Sequence, residues 1–220
     1  MDLLQALPNL RRHPAFAHKA IALIGVSAIV RDASSYYFEI GKPKYWHHSS
    51  ERVVVGIGGI GGGIKQGETL PTCLRREVDE ELGARVRIEL PSTTYLLQNW
   101  EITGTLTLPP TRKRPTPAMI ILLPPRLGGI GTPDALAIVS FAARLRDAPN
   151  PRDLFGMLRI DRQALSDVFA PDEWASEELK AQPGVQMTFH STARGLPPNA
   201  VLRPILTARA FQCLLRAGLV

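Results

Sequence analysis

A glycine-rich loop that runs straight into a carboxylate-bearing helix constrains this chain more than any other feature. Glycines crowd the stretch from Gly56 to Gly67, and Leu70 to Leu82 then reads as helix. Thr69 suits the N-cap, and Pro71 falls in the first turn, where its missing N–H is harmless. Gly83 follows the last periodic residue and suits the left-handed C-terminal turn. Leu74, Val78 and Leu82 recur every four residues and make a buried stripe. Glu77, Glu80 and Glu81 stand at i, i+3 and i+4, so they are neighbours on one edge of the helix, beside that stripe. Like charges held this close repel one another. The face must be either solvated or neutralised by a cation, and an all-oxygen set suits Mg²⁺ or Mn²⁺ rather than zinc. Arg76 forms an i, i+4 pair with Glu80 and can fix a neighbouring carboxylate; Arg75 pairs in the same way with Asp79.

Two known patterns run through this stretch. Gly56, Gly58 and Gly61 follow an apolar run, Val53 to Val55, and fit the G-x-G-x-x-G of dinucleotide-binding folds. That pattern needs a helix to open at its third glycine. Here Gly62, Gly63 and Gly67 follow, each disfavouring helix by about 1 kcal/mol. The second pattern spans more positions. Gly62, Glu68, Arg76, Glu77, Val78, Glu80, Glu81, Gly83 and Ala84 match G-x5-E-x7-R-E-U-x-E-E-x-G-U, where U is a bulky apolar residue. Every fixed position is filled and only Ala84 is smaller than usual, so the chain resembles the Nudix hydrolases over about a tenth of its length. Ile60 stands where many members carry proline.

The resemblance implies an α/β/α sandwich with a mixed β-sheet and a loop-helix-loop catalytic motif. It implies metal-dependent cleavage of a diphosphate bond in a nucleoside diphosphate linked to another group. Glu77, Glu80 and Glu81 would hold the metal, with the Gly62 carbonyl as a further ligand. Glu77 or Glu80 would act as base, and Arg76 would orient Glu77. Gly61, Gly62 and Glu68 would be substrate-binding, Glu68 either bracing the loop or binding the metal through a water. Many relatives recruit a carboxylate from outside the box, and Glu101 and Asp153 are the candidates here. The rival reading is a Nudix-like sensing module that binds a nucleotide or metabolite without cleaving it. Such modules often lose box carboxylates, and none is lost here. The substrate markers found about sixteen residues past the box in some relatives are absent; Asn99, Trp100 and Glu101 stand there, and Trp100 could stack on a base or fill the core.

Length and charge narrow the rest. A 220-residue chain with 45% hydrophobic residues suffices for one full core. The organisation expected is an N-terminal arm over 1–18, a core over 19–165, and a helical extension over 166–220 that packs on the same domain and would cover the site or build a homodimer. No apolar run reaches the roughly 20 residues of a membrane span, and the first residues do not read as a secretory signal. Cys73 and Cys213 have no metal spacing, and the default location is the cytoplasm. The formal net charge of +6 suits a polyanionic small molecule. Arg112, Lys113 and Arg114 gather on a proline-bounded segment from Pro109 to Pro117 that reads first as a solvated hairpin or crossover tip, with a phosphate-contacting loop as the alternative. No interleaving of basic and aromatic residues supports nucleic-acid binding. His47 and His48 are adjacent, point apart in an extended chain, and read as surface residues.

Strands are expected over Ala20–Val30, Tyr36–Ile40, Arg52–Ile57, Arg85–Leu97, Ala118–Leu123, Ala137–Leu145 and Leu154–Ile160. Helices are expected over Arg162–Phe169, Trp174–Lys180 and Leu202–Ala217.

Overall fold

The computed structural model describes residues 1–109, 115–125 and 132–220. Arg112, Lys113 and Arg114 lie outside the described residues. The strands are β1 (Ile21–Arg31), β2 (Ser35–Ile40), β3 (His47–His48), β4 (Val53–Gly58), β5 (Ile60–Gly62), β6 (Val86–Ile88) and β7 (Thr94–Gln98). They continue with β8 (Glu101–Leu106), β9 (Met119–Leu123), β10 (Ala135–Leu145), β11 (Gly156–Asp161), β12 (Trp174–Ala175), β13 (Val185–Phe189) and β14 (Ala200–Pro204). The helices are α1 (Leu3–Ala6), α2 (Leu70–Leu82), α3 (Leu165–Val168), α4 (Ser176–Lys180) and α5 (Leu206–Arg216).

The strands form one mixed sheet whose main path runs β12-β14-β4-β2-β1-β10-β9-β7-β8. Its axis is the parallel pair β1–β10, which runs from Ile21 opposite Ala135 to Arg31 opposite Arg144 with a shift of register between Leu23 and Gly25. Strands buried on both faces read as nearly continuous apolar runs, and β1 has that character. Its Val26, Ala28 and Val30 pack on one side of the sheet and Ile29 on the other, as the two-residue period of a strand requires. The first side is closed by α2 through Leu70, Leu74, Val78 and Leu82, and by Leu3, Leu10 and Phe16 from the N-terminal segment. The second is closed by α5 through Ala208, Phe211 and Leu214, with α3 and α4 beside it. The fold is therefore mixed α/β, with helices on both faces of the sheet.

Three sequence expectations are corrected. The helix expected over Leu202–Ala217 is two elements. Residues 200–204 form β14, parallel to β4 from Ala200 opposite Val53 to Pro204 opposite Ile57, and α5 begins only after Pro204. Residues 166–220 thus add β12, β13 and β14 as well as helices, so the expected helical extension is part sheet. The strand expected over Arg85–Leu97 is broken around Pro91 into β6, on β10, and β7, between β8 and β9. A proline lacks the donor that a continuous interior strand needs.

The helix that matters most for function is capped as its sequence suggests. Thr69 accepts from the Thr72 N–H at its start, and Gly83 turns left-handed at φ 56° at its end. The loop after β10 completes the C-terminus. The Asn150 N–H donates to the Leu82 carbonyl at 2.7 Å and the Arg152 N–H to the Glu81 carbonyl at 3.0 Å. These bonds satisfy carbonyls that every helix end leaves open. They also fasten the 150–153 loop to the acidic end of α2.

Candidate functional site

Three segments meet at the acidic edge of α2: β5, the end of β2, and the 150–153 loop. Gly62 sits hard against Glu77. A Cβ on Gly62 would lie 2.6 Å from a Glu77 carboxylate oxygen, so only glycine leaves room for that side chain. The Gly61 N–H donates to Glu81 Oε2 at 3.0 Å. The sequence puts all three carboxylates at the rim, but Glu81 belongs to the buried face, with only 8% of its surface exposed.

Arg76 organises the other acids. Its Nε and Nη2 donate to the two Glu68 oxygens at 2.6 and 3.0 Å, a bidentate pair. Its Nη1 donates to Glu77 Oε1 at 2.6 Å and Glu80 Oε2 at 3.0 Å, and Nη2 also reaches the Gly63 carbonyl at 3.1 Å. The fork thus clamps the loop, through Glu68 and Gly63, to the helix. The Arg76 hydrogen bonds, with a further bond from the Lys65 N–H, hold Glu68 well below the carboxylate range, at about 2. The Arg76 guanidinium is held further above its ordinary value, chiefly by the Glu68 bond. Glu80 is the most exposed of the box acids, and Lys65 Nζ lies 3.6 Å from it.

On the other side of Glu77 the balance reverses. Glu39, on β2 opposite Gly58 of β4 and Met157 of β11, was not singled out by the sequence. Burial, then the nearby Glu39 charge, pushes the Glu81 carboxyl up to about 9, while the Gly61 N–H pulls the other way. Burial also pushes Glu39 up to about 7, against the pull of Lys42, with the charges of Asp153 and Glu77 adding to the rise. Glu39 and Glu81 thus lie close together with the pull of Lys42 on both outweighed by burial, so the charged form of each is disfavoured. The one signal for Glu39 in the sequence is an acid inside an apolar strand, between Phe38 and Ile40.

The outside candidates separate. Asp153 accepts from Lys42 Nζ at 2.9 Å, and its charge is felt at Glu39, so it stands at the edge of this cluster. Glu101 does not. It lies on the sheet-edge strand β8, five strands from β2, roughly 24 Å away at ordinary strand spacing. Trp100 packs with the core on the α5 side, and its carbonyl accepts from the Cys213 thiol, so it stacks on nothing at the acidic edge. His47 and His48 are exposed on β3. Cys73 and Cys213 are both free.

The donor chemistry fits a hard divalent cation: carboxylate oxygens only, Glu81 buried and Glu39 partly buried beside it, its charge raising Glu81, with backbone that a Cβ would block. Among the described residues, no three His, Cys, Asp or Glu side chains are already gathered as a metal cage. Arg76 engages Glu77 and Glu80 instead.

No family model matches the chain, and no curated protein does. Solved structures with some likeness include a Nudix-family hydrolase from Clostridium perfringens, 14% identical with a TM-score of 0.40, covering 65% of this chain and 83% of its own. A Nudix hydrolase from Nitrosomonas europaea is 15% identical with a TM-score of 0.34, covering 60% of this chain and 65% of its own. A UDP-X diphosphatase is 14% identical with a TM-score of 0.32; the match covers 70% of this chain and 55% of the diphosphatase. At this distance these likenesses bear on neither activity nor substrate. No described helix is long and apolar enough to cross a membrane.

Proposed function

We propose that this protein is a Nudix-type pyrophosphohydrolase that uses Mg²⁺ or Mn²⁺ to cleave the diphosphate bond of a nucleoside diphosphate derivative. The observation that carries the reading is the complete box together with its arrangement. Glu77 is seated against Gly62, and Glu81 is buried on the Gly61 N–H beside Glu39. Burying mutually repelling acids costs stability, and a site for a cation gives that cost a use.

Glu77, Glu80 and Glu81 would hold the cation, with the Gly62 carbonyl beside them and Glu39 as an added acid. When bound, the metal supplies neutralisation of phosphate oxygens and a water acidic enough to be deprotonated near neutral pH. The protein's own groups then have three tasks. Arg76 keeps Glu77 oriented and, through Glu68, holds the loop against α2. An oxygen of Glu77 or Glu80 accepts the proton of the attacking water. That water's oxygen bonds to one phosphorus while the bridging P–O bond breaks, and the bonding pair leaves on the departing phosphate.

A panel of nucleoside triphosphates, nucleotide sugars, dinucleotides and capped RNA, assayed for released phosphate or nucleotide with and without EDTA, tests this reading. Release that requires Mg²⁺ or Mn²⁺ is expected for at least one member. Tight binding with no metal-dependent product would favour the sensing module instead.

The loop geometry gives a second expectation. In Gly62→Ala the new methyl must displace the Glu77 carboxylate, 2.6 Å from its position. Mn²⁺ affinity, followed by the paramagnetic signal of free Mn²⁺, should fall at least tenfold, on the scale of a lost or misplaced ligand contact. An unchanged affinity would remove Glu77 and Gly62 from the metal site.

A further inference from the structure

Beside the acidic edge lies a cavity of about 840 Å³ whose character is opposite. Its charged lining has Lys42, Lys44, Arg152 and Arg194 against the single carboxylate of Asp153. Only Lys42 is firmly paired, to Asp153 at 2.9 Å. Arg152 is 3.9 Å from Asp79 and largely exposed, and Lys44 rests over the Tyr45 ring at 4.8 Å. Arg194 has no ion-pair partner among the described residues. Surplus cations in a concavity concentrate anions there. One wall is aromatic. Trp46 and Phe155 meet edge to face at 5.3 Å, and Trp46 is held by its Nε1–H donating to the Gly41 carbonyl at 2.7 Å. A rigid aromatic pair beside fixed cations suits a ligand with a flat ring at one end and phosphates at the other.

The cavity is joined to the acidic edge by covalent chain and hydrogen bonds. Lys42 lies three residues beyond Glu39. The Arg152 N–H is bonded to the carbonyl of Glu81 itself, at 3.0 Å. A diphosphate at the acidic edge therefore has cations and then an aromatic wall as its next neighbours. Part of the lining comes from the segment 190–197, so residues beyond β11 shape the cavity.

We propose that this basic, aromatic-walled cavity holds the nucleoside diphosphate half of the substrate, its ring against Trp46 and Phe155 and its phosphates among Lys42, Lys44, Arg152 and Arg194. The assignment rests on the hydrolase reading for its role but makes a binding claim that needs no turnover. The test is calorimetric titration of the full chain, in EDTA, with ADP, GDP, CDP and UDP, and with the matching nucleoside and inorganic pyrophosphate as the halves of each ligand. At least one nucleoside diphosphate should bind tenfold or more tightly than either half. The double variant Lys44→Ala with Arg194→Ala, both exposed residues, should weaken that binding at least tenfold. Trp46→Leu should weaken the nucleotide but not pyrophosphate.

A nucleotide that binds no better than pyrophosphate, or binds the double variant as it does the parent, overturns the assignment. The two readings fail differently. If the parent turns over a nucleotide with metal while the double variant keeps its kcat/KM, the cavity proposal falls and the hydrolase stands. If the variants lose nucleotide binding but the parent shows no metal-dependent turnover, the ligand stands and the hydrolase reading falls.

Discussion

Glu81→Gln is expected to remove nearly all metal-dependent hydrolysis while leaving the protein folded and, without metal and above pH 9, more stable than the parent. The two halves of this expectation have one cause. Glu81 is buried beside Glu39 and Glu77, and burial raises its carboxyl to about 9. Glutamine keeps the shape and an oxygen able to accept the Gly61 N–H. It cannot supply an anionic metal ligand. A loss of about a thousandfold in kcat, about 4 kcal/mol of barrier, is the scale for removing a group that acts directly on transition-state charge. Most substitutions that abolish activity in a buried site also destabilise; this one is expected not to, because it removes repulsion. Glu77→Gln should match the loss of rate. Steady-state kinetics with Mn²⁺, paired with urea unfolding at pH 7 and pH 9.5, reads both halves. Turnover near the parent's in both variants would sink the assignment of the box acids.

The second large effect is a metal-free stability that peaks in mild acid, near about pH 5, and declines on both sides. The signs follow from the two kinds of acid at the site. Glu81 and Glu39 ordinarily ionise at 4.5, and the fold raises them to about 9 and about 7. A raised carboxyl binds its proton more tightly when folded. Its contribution is fully present below 4.5 and is lost as pH climbs through 7 and then 9. Glu68 is the opposite case: clamped by Arg76 and lowered to about 2, it contributes above 4.5 and is lost as pH falls toward 2. On the alkaline side the loss should be on the order of a few kcal/mol. Added Mn²⁺ or Mg²⁺ binds the ionised acids of the folded state and should restore that loss, most strongly where they are most ionised.

How far the sequence foretells these features depends on whether their cause is local. The caps of α2, its buried leucine stripe and the reach of Arg76 to Glu80 follow from spacing within one helix, and Thr69, Gly83 and Leu74 take the positions their chemistry suggests. Glu39 has no such local sign. It reaches Glu81 only because β2 pairs with β4 near Gly58, which sets it beside the loop after that strand. Sequence reading kept Glu101 as a candidate behind Asp153, which precedes a strand; a sheet order with β8 at its edge separates Glu101 from the site. The strand β14 was hidden by a different ambiguity. A short apolar run such as Ala200 to Leu202 fits either period, and parallel pairing with β4 decides it. Pro204 was a usable sign, since the residue before a proline is biased away from helix. The basic cavity was invisible for the same reason as Glu39: Lys42, Arg152 and Arg194 are distant in sequence and meet only in the folded chain.

The acids around Gly61 and Gly62 are central to the proposed function as holders of a divalent cation. The most direct measurement is calorimetric titration of the full chain with Mn²⁺ at pH 6 and at pH 8.5, in two buffers of different ionisation enthalpy so that released protons are counted. A single site is expected at both pH values, tighter at pH 8.5, with protons released on binding and the site lost in Glu81→Gln. No Mn²⁺ uptake at either pH, or uptake that is unchanged in Glu81→Gln and releases no protons, would contradict it.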